Sequence, residues 1–330
     1  MAALSLVSGE DDAEPQLTVD IYVKPEVVTA AYKIYGGYHA SMWLAKCIIK
    51  NTGTVPVKDF YIEYEVGGYC ESTSVEDYPI ILPGQTVRDY CWPNFSPEQM
   101  ATINNETPAE IIIRYGYAGL EEPKATSEKF SFLGRNDFIW SSLPEAEMLT
   151  FEDENDNARL LAAFVTRSEP VTQDLAKTLT GGIYTGTDEN AMAALESLYN
   201  GLRDAGYKYV TESVTFWTNE FGQYIQYPAE TIAHRGGNCV DLSLLFSAML
   251  EAVGIQTYLT LSTGHCQFVA IMPESRRWIP VEETLVGDPD ATLQDAIDVA
   301  LQWYQEQSSQ GTYMFIDVED AWASGIVPSW

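Results

Sequence analysis

Gly236-Gly-Asn-Cys-Val-Asp-Leu-Ser-Leu-Leu-Phe-Ser-Ala-Met-Leu-Glu-Ala-Val-Gly254 is the stretch on which the reading of this chain turns. Its apolar residues at 242, 245, 246, 249, 250 and 253 share one face of an α-helix. The spacing predicts a buried helix of about four turns, begun near Cys239 and ended by Gly254, with an alternating run from Ile255 to Leu261 after it. Cys239 lies three residues before Leu242 and so points to the buried side. The free N–H groups and the dipole at a helix start favour a thiolate there. Gly236 and Gly237 would let another chain's backbone approach closely. Taken alone, a cysteine on an apolar face is as readily a small core hydrophobe.

The next two runs change that balance. Gly264-His265 opens Cys266-Gln-Phe-Val-Ala-Ile-Met272, which alternates as a strand; Pro273 to Arg276 makes a turn, and Arg277-Trp-Ile-Pro-Val-Glu282 returns. Paired positions of an antiparallel hairpin sum to a constant. Pairing 272 with 275 sets His265 opposite Glu282; pairing 272 with 277 displaces them by two residues on the same face. Either register holds the two backbones about 5–8 Å apart. A thiol, an imidazole and a carboxylate are the parts that nucleophilic cysteine catalysis needs: a base to make the thiolate and an acid to orient the base. Alternation sends Glu283 and Cys266 to the opposite face, so Cys266 reads as core.

The blocks Gly237-Asn-Cys239-Val-Asp241, Gly264-His265 and Trp278-Ile-Pro-Val-Glu282-Glu-Thr284, with Tyr227-Pro-Ala-Glu-Thr231 upstream, resemble the transglutaminase-like superfamily of papain-type cysteine enzymes. The likeness is to prokaryotic or archaeal members with an N-terminal β-sandwich, and its motifs cover residues 227–284. It implies Cys239 as nucleophile, His265 as base and Glu282 as third member, acting on an amide through an acyl-enzyme. It implies neither metal nor cofactor, a peptide or protein substrate, and hydrolysis in preference to cross-linking. Glu282 stands where the family usually has Asp, and Cys266 where many relatives have Ala. The Cys239 backbone N–H is the natural oxyanion donor. A second donor in this superfamily is usually an aromatic or amide side chain, for which Trp217, Gln226, Tyr227 and Asn238 are candidates. Asp241, about 200° round the helix from Cys239, reads as an acceptor for first-turn amides. A zinc site from Cys239, Cys266, His265 and His234 is disfavoured, because consecutive strand residues face opposite ways. The alternative is a cell-surface adhesion or assembly protein whose enzyme-like domain has little turnover.

Outward from that core, residues 1–15 form an acidic tether. From Leu17 to about Phe132 come short alternating runs, among them 17–23, 41–50, 60–66, 111–115 and 129–132, separated by turn residues. They predict an immunoglobulin-like β-sandwich over 16–135. Beyond Asn136 the texture is helical, at Glu152–Val165 and Asp188–Tyr207, so 136–330 is the transglutaminase-like domain and the whole is α+β. Its core is expected to be papain-like, a helix packed on an antiparallel sheet. Residues 16–135 hold ten basic and fifteen acidic side chains, residues 136–330 eight and twenty-nine. The net charge of −30 disfavours nucleic acid and anionic membranes. No apolar run is long enough to insert into a membrane. Of five cysteines, only Cys70 and Cys91 suggest a disulfide. The sequons at Asn94 and Asn105 and the tethered sandwich point to an extracellular or cell-surface protein, against a high-salt cytoplasm as the alternative.

Overall fold

The computed structural model describes residues 14–37, 42–70, 76–211 and 222–329, and its class is α+β. Residues 1–13 of the expected tether, and Ser41 at the head of one expected strand, lie outside the described residues. The chain gathers into two compact units, one of residues 1–25, 35–96 and 108–131, the other of 26–34, 97–107 and 132–330. The last division falls close to the change in composition. The stretches 26–34 and 97–107, however, group with the second unit.

Among the described residues seven strands build the first unit: β1 (Leu17–Val23), β2 (Ala45–Asn51), β3 (Val57–Val66), β4 (Glu76–Ile81), β5 (Thr86–Cys91), β6 (Thr107–Gly116) and β7 (Lys124–Phe132). They lie in two sheets, one ordered β1-β2-β5 and a five-stranded one in which β7-β6-β3-β4 are consecutive. Period-two alternation buries Ala45, Cys47 and Ile49 of β2 and Phe60, Ile62, Tyr64 and Val66 of β3. The sequence runs do not single out β4 and β5. Pro79 interrupts β4, which is tolerated because β4 is an edge strand, and β5 carries Arg88 and Asp89. Asp89 is nevertheless buried, accepting hydrogen bonds from Tyr64 Oη at 2.7 Å and Tyr78 Oη at 2.7 Å. All five cysteines are free thiols, Cys70 and Cys91 included.

In the second unit come β8 (Asp137–Ile139), α1 (Phe151–Glu154), a 3-10 turn at Ala158–Phe164, α2 (Pro170–Thr180) and α3 (Asp188–Asp204). After them follow β9 (Lys208–Tyr209), β10 (Gly222–Tyr224), α4 (Pro228–His234), β11 (Gly236–Gly237) and α5 (Cys239–Ala252). The remainder is β12 (Thr257–Ser262), β13 (His265–Ile271), β14 (Trp278–Val281), α6 (Leu293–Gln310), β15 (Tyr313–Asp317) and α7 (Val318–Ala323). The single helix expected over 152–165 is thus broken. Asn155, Asp156 and Asn157 intervene, and their side chains bond backbone elsewhere: Asp156 accepts from the Ser142 amide, and Asn157 donates to the Ile139 carbonyl. Short polar side chains compete with the helical ladder in this way.

The four-stranded antiparallel sheet runs β14-β13-β12-β15. One face, with Leu259, Leu261, Phe268 and Ala270, is buried against α5, where Phe246 stacks on Phe268 at 5.0 Å between ring centroids. Helix α6 packs on β14 and β15. Where the sequence suggests one apolar face, α5 is buried all round, Ser243, Ser247 and Glu251 included. The sheet covers one side of it and α2 and α4 the others.

Candidate active site

Cys239 is the first residue of α5, and Asn238 caps the helix with a reciprocal pair of bonds. The Asn238 side chain accepts from the Asp241 amide at 3.0 Å, and Asp241 Oδ2 accepts from the Asn238 amide at 3.0 Å. Asp241 also accepts from the Gln226 amide at 2.8 Å and from Gln226 Nε2 at 2.9 Å, tying the chain before α4 to the start of α5. Burial raises its carboxyl above the ordinary range, against those bonds. The glycines ahead of the cysteine make this geometry possible. A Cβ on Gly236 would sit 2.9 Å from the Lys208 carbonyl oxygen, and one on Gly237 2.5 Å from the Asp241 Cβ. The backbone they admit is the chain's own, strand β9 lying parallel to β11.

The hairpin pairs Phe268 with Val281 and Val269 with Pro280, which is the register that joins 272 to 277. His265 and Glu282 therefore share a face two residues out of step, and the longer Glu side chain spans the offset. His265 Nε2 lies 2.8 Å from Glu282 Oε2. Gln267 Nε2 donates to the same oxygen at 2.7 Å, and Thr284 Oγ1 donates to Oε1. The imidazole is also hydrogen-bonded to the Cys239 side chain.

Electrostatics follow from these partners. Burial alone would lower the His265 pKa, but the bonds to Cys239 and Glu282 outweigh it and raise the group to about 10. Burial pushes Glu282 up, and the bond from His265, with those from Thr284 and Gln267, holds it below the usual carboxylate range instead. The pair is thus an imidazolium against a carboxylate at neutral pH.

Glu283, one residue on, has the opposite environment. It is fully buried, and neither carboxyl oxygen has a hydrogen-bond partner. Burial, then the neighbouring Glu282 charge, drive it well above the ordinary range.

Cys239 and His265 open onto a cavity of about 370 Å³ whose wall includes Trp140, Phe151, Tyr209 and Gln223. Of the candidate oxyanion donors, Asn238 lines this cavity. Gln226 is held by Asp241 and by His234, and Tyr227 is buried with its hydroxyl donating to the Arg135 carbonyl at 3.1 Å. Trp217 lies outside the described residues. Cys266 is buried beside Ser243.

The sequence reasoning misses two groups. Gln223 faces the cavity with its Oε1 held by Trp140 Nε1 at 3.1 Å. Trp303 on α6 sets its ring edge to face on His265, centroids 5.5 Å apart, while its Nε1 donates to Ser262 Oγ at 2.7 Å. Neither carries a spacing signal, since each arrives from an element remote in the chain.

Among the described residues no three His, Cys, Asp or Glu side chains are grouped to hold a metal ion, and no helix is long and apolar enough to cross a membrane. The chain matches no protein-family model, and no curated protein sequence matches it.

Proposed function

We propose that this chain is a transglutaminase-like cysteine enzyme that cleaves amide bonds in peptides or proteins through an acyl-enzyme on Cys239. In this reading the second unit is a papain-like core and the first an immunoglobulin-like sandwich that recognises a partner, with the protein working at or outside the cell surface. The exposed sequon asparagines Asn94 and Asn105 suit that location, and a chain this acidic is a poor partner for nucleic acid. The observation that carries the proposal is the series Cys239–His265–Glu282 ending on a cavity.

The thiolate attacks the amide carbonyl while the imidazolium of His265 gives its proton to the leaving nitrogen, releasing an amine and leaving a thioester. Water then attacks the thioester as neutral His265 takes its proton. The acid departs, and the thiolate–imidazolium pair is restored. The developing oxyanion meets the Cys239 backbone N–H, which as a first-turn amide has no partner within the helix. The Gln223 amide, which lines the cavity beside Asn238, is a candidate second donor in this reading. Glu282 fixes the ring and its charge, and Trp303 covers one side of it.

The test is a thiol-reactive probe read by intact mass and peptide mapping. Rapid single labelling at Cys239, slowed about 10²-fold or more in His265→Ala, is expected. Slow labelling that ignores His265 would remove the basis of the proposal.

A further inference from the structure

Apart from His265, which is paired with Glu282, the described wall of the cavity beside Cys239 is acidic and aromatic. Trp140, Phe151 and Tyr209 contribute aromatic surface, Glu154 contributes a carboxylate, and no Lys or Arg is among the described lining residues. The indole of Trp140 is fixed by its bond to Gln223 and by edge packing on Phe138 at 5.0 Å. Of the other acids of this helix and its flank, Glu152 does not line the cavity, and two are engaged. Asp153 closes the cap of α1 with Thr150, and Asp156 accepts from the Ser142 amide. Glu154 is solvent-accessible and, among the described residues, makes neither ion pair nor side-chain hydrogen bond. A carboxylate beside aromatic faces is a receptor for an organic cation, which gains from Coulomb attraction and from the ring quadrupoles together.

We infer that this cavity selects a substrate bearing an alkylammonium or guanidinium group, with Glu154 as the specificity-determining residue. The inference rests on the proposed function for its substrate, but the cation preference belongs to the cavity itself. An anionic group in the same place would face Glu154 and the strong negative charge of the chain.

The full chain is treated separately with a trimethylammonium-ethyl and a sulfonatoethyl methanethiosulfonate, and modification of Cys239 is followed by peptide mass. Each rate is divided by that of a free small thiol. The cationic reagent should win by about tenfold or more at low salt, as expected for one nearby opposite charge. Glu154→Gln should remove most of that preference, whereas Glu152→Gln, on the same short helix, should leave it. Equal corrected rates, or a preference that Glu154→Gln does not change, overturns the inference. These reagents report on the cavity even if the chain turns nothing over.

Two further arms place the cation. Nitrophenyl esters of acetyl-lysine and acetyl-norleucine differ in charge at nearly constant shape. A faster lysine ester, levelled by Glu154→Gln, puts the cation on the acyl donor. Equal ester rates with faster release of the acyl-enzyme by butylamine put it on the attacking amine. Esters that never acylate Cys239, beside an intact thiosulfonate preference, break the proposed function and leave the cation site standing.

Discussion

The first unit links Cys47 to Tyr64 and Tyr64 to Asp89; the second links Cys239 to His265 and His265 to Glu282. Both are a thiol, a ring and a carboxylate in series, and both carboxylates accept several donors. Asp89 takes the hydroxyls of Tyr64 and Tyr78; Glu282 takes His265, Gln267 and Thr284. The middle ring separates them. Burial drives the Tyr64 phenol still further above its ordinary range, so it holds its proton and cannot act as a base. Burial likewise pushes the Cys47 thiol up to about 11. An imidazole in the same place exchanges its proton. Cys239 also begins a helix and lines a cavity, whereas Cys47 lies mid-strand with no exposure. Series alone is architecture; a titrating ring and an open side make it chemistry.

The largest expected effect comes from breaking the second series at its acid. Glu282→Gln leaves a neutral amide against His265 Nε2, so the ring loses its orienting charge. Acylation of Cys239 should fall by roughly 10²–10⁴, the scale for the acid of a triad. Glu283→Gln, next door, changes a carboxyl that burial already drives well above its ordinary range, and should stay within about threefold. Rates with an ester reporter decide it. Equal losses would mean that Glu283 is ionised and belongs to the series.

That contrast also shows how far the sequence reaches. Alternation separates Glu282 from Glu283 and brings His265 to the right face, because a side-chain period of two is fixed by the strand itself. The cysteine helix is legible for the same reason, from a period of 3.6. The hairpin register is not, since Pro273 to Arg276 fits two turn lengths; the structure selects the one pairing 272 with 277. Nor can periodicity show that Glu283 loses every hydrogen-bond partner, because the 3-10 turn that begins there ends the strand. Gln223 and Trp303 reach the site through tertiary packing, which no local pattern encodes. In the first unit, β5 escapes notice because its buried Asp89 reads as a surface residue until the two tyrosines opposite it are in place.

A smaller effect is the pH dependence of stability. His265 titrates in the folded chain near 10, raised from 6.5. Its contribution is therefore fully present below 6.5 and is lost as the pH rises through about 10. Comparing His265→Gln with the parent cancels the other titrating groups. Urea unfolding should show the parent's advantage, about 1.5–3 kcal/mol for a charge-assisted bond, shrinking steadily between pH 7 and 10.5. A constant gap across that range would mean that the ring is neutral throughout, and the second series would then work as a base-assisted thiol with no resident ion pair.

The smallest expected effect on chemistry tests the first series. Asp89→Asn removes a buried charge that two phenols donate to, so urea unfolding of the first unit should come about 1–3 kcal/mol easier. Cys47, buried beneath those rings, should then alkylate faster, because its labelling waits on local opening. Cys239 should label at the parent rate, within about twofold, since every proposed reacting group lies in the second unit. Peptide mapping after a short pulse of iodoacetamide reads both thiols in one sample. A Cys239 rate that falls together with the first unit's stability would show that the sheets of Tyr64 and Asp89 help to shape the cavity. The carboxylate of the first unit would then serve the chemistry of the second.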